Sequence, residues 1–221
     1  MSQCAGEPAR GRRPMTGPAR PVRFLTRASL RWMIRHRAYT PWYLLRYWRF
    51  YRFRWANPGV VVTGMVFLDR GASITVRTGY ARLILGRWIH VGAHTAIRAH
   101  EGTLRIGDKC VFGRRDSLNC YLDVEIGDSV LVADDVYISD FDHRFAEFDV
   151  PIKDQGIVKS RVRIEDDVWL ATKVTVARGV VIGAGSVVGA NSVVTRDLPP
   201  FSVAVGAPAR VVRDRRGPAP R

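Results

Sequence analysis

The chain has 221 residues, is 47% hydrophobic and carries a formal net charge of +15. That content suffices for one substantial domain plus an arm, and no apolar run approaches the roughly 18 residues of a membrane span. Three cysteines (Cys4, Cys110, Cys120) form neither a paired framework nor a metal-ligand spacing, which excludes a disulfide-stapled fold and fits a reducing compartment.

The charge is concentrated at the N-terminus. Residues 1–58 hold 13 Arg, no Lys and one acid, Glu7, so 13 − 1 = +12 of the +15 lies there. Residues 1–22, rich in Pro, Gly, Ala and Arg, read as a disordered basic tail. Residues 23–58 read as a helical, aromatic and arginine-rich arm containing Trp32, Trp42, Trp48 and Trp55. Thr40-Pro41 suits the N-cap and first position of a second helix running through about Arg54. On that helix Leu44, Tyr47, Trp48 and Tyr51 share a face, while Arg46 and Arg49 lie elsewhere. Such an arm either caps the main domain or lies in the headgroup zone of an anionic membrane through residues 24–55; the two are compatible. Nothing resembles a base-reading motif, so no nucleic-acid partner is expected. Arginines interrupt any signal-peptide core, which points to a cytoplasmic protein, peripheral at most to the inner membrane face.

From about Val62 the pattern turns periodic. An aliphatic residue recurs every sixth position at Ile164, Leu170, Val176, Ile182, Val188 and Val194. Four residues after most of these stands a small or β-branched residue, and a small or acidic one often follows the lead directly. Neither a helical nor an alternating-strand period does this; coils of three short flat faces, about 18 residues per turn, do. The register extends upstream through Val62, Leu68, Ile74; Leu85, Val91, Ile97; Ile106, Phe112, Leu118; and Ile126, Val132, Ile138. Steps between coils are then 23, 21, 20, 38 and 18 residues. The 38-residue step ejects a segment at 144–163, immediately after ISDFDH, and reads as an extended active-site loop. Cys110 takes an inward position as a small core residue.

The linked stretches IGDSVLVADDVYISDFDH, VRIEDDVWLATKVTVARGVVIGAGSVVGANSVVTRDL and the closing PPFSVAVGAPARVVR resemble the hexapeptide-repeat acyltransferases. NCYLDV is similar to the segment preceding the active coil in maltose- and galactoside-type O-acetyltransferases. The resemblance implies an all-β fold, a left-handed parallel β-helix over 59–213 with a disordered tail at 214–221, assembled as a homotrimer with active sites between subunits. By position it implies His143 as catalytic base, Asn119 as acceptor-orienting, and Asp140 and Asp142 beside the acceptor. Trp169, Ala171, Gly189, Ala190, Thr195, Arg196, Arg210 and Arg213 match positions lining the acetyl-CoA groove. VWLA replaces the usual VWIG, so Ala171 keeps a small residue there.

A histidine with an ordinary pKa near 6.5 can take a hydroxyl proton at neutral pH. No serine or cysteine is placed as a covalent nucleophile, so direct transfer from acetyl-CoA to a sugar hydroxyl is expected, the acceptor being a cell-envelope glycan or lipid-linked saccharide. The alternatives are a small soluble acceptor (free sugar, antibiotic or serine) and a non-catalytic β-helix scaffold. His90 and His94 invite a zinc reading, but their spacing and coil differ from those of zinc-binding β-helix enzymes, and no metal is expected.

Overall fold

The computed structural model describes residues 27–35 and 37–217. The tail expected at 1–22, the start of the arm, and residues 218–221 lie outside the described residues. Two helices come first: α1 (Arg27–Arg35) and α2 (Pro41–Ala56). Thr40, in extended conformation, precedes Pro41 without a side-chain cap bond, and the Asn57 side-chain amide donates to the Phe53 carbonyl at 2.9 Å to close the last turn.

From Val61 onward short parallel strands stack into a β-solenoid with three faces. The first face has six strands, the second eight and the third six. Every lead residue of the sixfold spacing pairs with its counterpart in the next coil. On the first face these are Val62, Leu85, Ile106, Ile126, Ile164 and Ile182. On the second they are Leu68, Val91, Phe112, Val132, Leu170 and Val188. On the third they are Ile74, Ile97, Leu118, Ile138, Val176 and Val194. Nearly all are buried and together form one continuous aliphatic core. Cys110 and Cys120 lie in the same core as free cysteines.

The corners explain the small and acidic residues that follow the leads. At the first corner Trp88, Lys109, Ser129 and Asp167 all have φ between 56° and 61°. Each such non-glycine residue costs roughly 1 kcal/mol, which the stacked neighbours must offset. Aspartates tie these corners vertically. Asp108 accepts the Arg87 N–H at 3.0 Å, Asp128 that of Asp108 at 2.8 Å, and Asp166 that of Asp128 at 2.7 Å.

α2 packs on the first coil. Phe50 and Phe53 enter the core, and Tyr43 and Tyr47 both meet the Phe67 ring at 5.9 Å. Arg46, buried, binds Asp69 Oδ1 through Nε at 2.8 Å and Nη2 at 2.6 Å. Tyr47 therefore turns inward, away from the face it was expected to share with Leu44, Trp48 and Tyr51. Its hydroxyl is buried without a partner, which follows from Phe67 drawing the ring down. Among the described residues no helix is long and apolar enough to cross a membrane.

The C-terminal end differs from expectation. Asp214 belongs to the last strand, Arg210–Asp214, which pairs antiparallel with Ser202–Val205. Arg215 then donates to Asp167 at 2.9 Å and to the Gly185 carbonyl at 2.8 Å. Residues 214 and 215, expected in a disordered tail, are held on the final coil by these bonds.

Candidate active site

The chain leaves the fourth coil after the strand Tyr137–Ser139. Phe141–His143 then pairs antiparallel with Ile157–Lys159, setting His143 opposite Ile157. Of the segment 144–163, expected as an extended active-site loop, residues 144–156 connect the two strands, Ile157–Lys159 forms the far strand of the hairpin, and Val162 opens the next strand of the first face. Leaving the stack exposes backbone N–H and C=O groups, and pairing the excursion with itself satisfies them. Its tip carries a short helical turn, Ile152–Asp154, and is closed by Gln155. The Gln155 amide donates to the Glu147 and Val150 carbonyls, both at 2.7 Å.

His143 is exposed on this hairpin, with its ring edge-on to Phe141 at 6.1 Å. Phe141 packs on Tyr121 at 4.4 Å, and Tyr121 stacks on His100 at 4.5 Å. The ladder climbs the corner between the third and first faces and ends at His143. Lys159, facing Phe141, pairs with Glu101, and its ammonium lies 5.7 Å from the Tyr121 ring centroid. Bonding to that ammonium holds the Glu101 carboxyl below its ordinary range. On the other side of the strand, Asp142 accepts from Arg178 Nε at 2.7 Å, and Arg178 also reaches Ser160 Oγ at 3.4 Å.

Asp140 was expected beside the acceptor, but it is fully buried. Its Oδ1 accepts the Tyr121 N–H at 2.8 Å, and its Oδ2 accepts those of Leu122 at 2.7 Å and Asp123 at 2.8 Å. The carboxylate is occupied in clamping the coil below to the root of the hairpin. Asn119 sits on the outer side of the third face, in register with Ser139. Its side chain meets Ser117 Oγ at 3.3 Å and Arg98 at 3.5 Å.

The remaining expected residues fall on other parts of the prism. Trp169 projects from the second face between Leu131 and Val187 and is 46% exposed. Ala171 and Gly189 stack at the corner between the second and third faces, with Ala190 beside them. A Cβ at Gly189 would meet Val205 Cγ1 at 2.7 Å, so the corner admits only glycine without displacement. Thr195 and Arg196, both exposed, follow the last strand of the third face, at the corner that carries His143 two coils earlier. Arg210 and Arg213 lie on the last strand. Within one chain the structure gathers His143, Asp140 and Asp142 on one edge and Ala171, Gly189 and Ala190 on another, with the third face between them.

His90 packs on Phe67 at 4.6 Å, and burial, aided by Arg46, lowers its pKa to about 4. His94 forms the second corner of the same coil with φ 62°. Among the described residues no group of three or more His, Cys, Asp or Glu converges as metal ligands would. Sequence reasoning missed His100, Tyr121, Glu101, Lys159 and Arg178 as supports of the hairpin. The ladder did leave a signal, since His100, Tyr121 and Phe141 are spaced by 21 and 20 residues, the same steps as the coils.

A family model described as bacterial transferase hexapeptide (six repeats) matches residues 161–196. The probable acetyltransferase Rv3034c of Mycobacterium tuberculosis is 56% identical over 197 residues, which cover 89% of this chain. The match spans 66% of that protein's own length, just under two thirds. Among solved structures, a variant of AntD, an N-acyltransferase from Bacillus cereus, in complex with dTDP-4-amino-4,6-dideoxyglucose and coenzyme A, aligns with a TM-score of 0.64 at 20% identity. That alignment covers 75% of this chain and 90% of the other. AntD with dTDP and 3-hydroxybutyryl-CoA gives 0.62 at 20% identity, covering 75% and 88%. At such identity the likeness concerns the fold alone.

Proposed function

We propose that the chain belongs to the bacterial hexapeptide-repeat transferases and is an acetyl-CoA-dependent O-acetyltransferase acting on a sugar hydroxyl. Residues 59–213 form the acyltransferase domain, and His143 is the general base. The observation that carries this reading is the placement of His143. It is exposed on a paired strand whose root is clamped by a buried carboxylate and whose flank is packed by Phe141. The 56% identical relative, itself named an acetyltransferase, supports the reaction class.

The imidazole takes the proton of the acceptor hydroxyl as that oxygen forms a bond to the acyl carbon. It returns the proton to the departing thiolate, so the histidine ends unchanged, a role worth roughly 10²–10⁴ in rate. Acetyl-CoA supplies the acyl group as an activated thioester. The chain's residues fit it in kind: a corner of Ala171, Gly189 and Ala190 leaves the edge flat, and Arg196, Arg210 and Arg213 offer guanidinium forks suited to phosphates. Asn119 orients the acceptor, while Asp142 and its partner Arg178 brace the strand.

His143 and the small-residue corner lie on different edges, so a homotrimer that sets one edge of a protomer beside the other edge of its neighbour would complete the site. We place the reaction in the cytoplasm, on a cell-envelope glycan or lipid-linked saccharide. The test compares glycans by mass spectrometry between a deletion strain and strains complemented with the wild type or with His143→Ala. An acetyl group absent from the deletion, restored by wild type and not by the variant, is expected. Restoration by the variant would remove His143 from the mechanism, and no glycan change at all would remove the envelope acceptor.

A further inference from the structure

The outward side of α2 is unusual for a helix that packs on a core. Its inward residues Phe50 and Phe53 account for one apolar face. Directly opposite, Leu44, Trp48, Tyr51 and Trp55 are exposed by 55%, 58%, 49% and 87%. They recur at i, i+4, i+7 and i+11 and so occupy an arc of about 60° along the helix. Arg52 and Arg54 border that stripe about 80° to either side, and the Arg52 guanidinium lies 5.2 Å from the Trp48 ring centroid. Solvent-facing helical positions ordinarily carry polar residues; a contiguous apolar stripe of this kind marks a surface that is covered.

The charge identifies the cover. No Asp or Glu occurs between Glu7 and Asp69, whereas 13 arginines do, and Asp69 is itself engaged by Arg46. A protein partner would have to be strongly acidic yet offer a groove for two tryptophans. An anionic bilayer presents both requirements at once: acyl chains for Leu44, an interfacial zone that favours Trp and Tyr rings, and headgroup phosphates for flanking arginines. We propose that this face of α2 docks the protein onto an anionic lipid surface.

The test is co-sedimentation of the full chain with phosphatidylcholine vesicles, with and without phosphatidylglycerol. Wild type should sediment with the anionic vesicles only, and added salt should weaken the binding. Arg52→Gln with Arg54→Gln should weaken it roughly fivefold per arginine, on the order of twentyfold together. Trp48→Ser with Trp55→Ser should abolish it, with both double variants keeping the wild-type thermal midpoint because all four side chains are exposed. The docking is independent of catalysis, so His143→Ala should bind vesicles as wild type does. Five results would overturn the proposal: equal binding to neutral vesicles, no vesicle binding, insensitivity to either double variant, binding of DNA in place of vesicles, or an oligomer that only the tryptophan variant dissolves, which would make a second copy the cover.

Discussion

Replacing Asp140 separates a structural clamp from an acceptor contact. Its carboxylate takes three backbone N–H groups, at 2.8, 2.7 and 2.8 Å, inside a site with no exposure. In Asp140→Asn the single remaining oxygen can serve at most the Oδ2 position, keeping the Leu122 and Asp123 bonds. The new NH₂ then faces the Tyr121 N–H, donor against donor. Bonds to charged acceptors are worth roughly 1.5–3 kcal/mol and an unsatisfied buried donor costs about 1–3 kcal/mol, so Asp140→Asn should cost about 2–4 kcal/mol. Asp140→Ala leaves all three donors without a partner and should cost more, about 3–5 kcal/mol. The assay is urea unfolding followed by circular dichroism, read as a shift in midpoint at unchanged slope. If both variants stay within about 0.5 kcal/mol of wild type, the surface-substitution range, the clamp is wrong. A raised acceptor KM at full stability would then restore Asp140 to the substrate.

Two further outcomes follow from the solenoid. Asp116 is buried with Oδ1 accepting the Val136 N–H at 2.9 Å and Oδ2 without a partner; burial, then repulsion from Asp134 and Asp135, pushes its pKa up to about 7. Because the folded value lies above the unfolded one, stability is greatest at acid pH and falls as pH rises from about 4 to about 7. Asp116→Asn should therefore gain stability above pH 7, by at most about 4 kcal/mol, with little gain near pH 4. Parallel wild-type and variant curves across that window would show the carboxylate to be neutral to folding. Leu170→Ala, at a fully buried position stacked between Val132 and Val188, should cost about 2–5 kcal/mol by equilibrium denaturation; a loss under 1 kcal/mol would mean that the coils collapse around the gap.

The coil registers were legible because each inward residue must meet the same face of its neighbours, which writes a period into the chain. Thus Leu85 and Ile106, drawn from an uneven stretch, still pair in register. The hairpin was not legible. Phe141–His143 and Ile157–Lys159 pair with each other rather than with the stack, so no sixfold signal marks them. The backbone bonds of Asp140 were not legible for a related reason. Its partners are the amides of Tyr121, Leu122 and Asp123, a coil away, and backbone donors leave no trace in residue identity. Tyr47 and Trp48 show the same limit on α2, since adjacent aromatics in one sequence run part company once Phe67 supplies a partner for only one of them.

The excursion that carries His143 departs after Ser139 and rejoins at Val162, and the coils on either side of it still pair directly, Ile126 with Ile164 and Ile138 with Val176. The Asp140 carbonyl accepts the Ser160 N–H at 2.8 Å, so the two arms of the excursion are fixed about one strand spacing apart at its root, roughly 4.8 Å, whatever lies between them. Residues near the tip, such as Phe145 and Phe148, can be exchanged, lengthened or deleted without disturbing a single rung. A lineage built on this frame can vary one segment while its folding stability stays under separate selection.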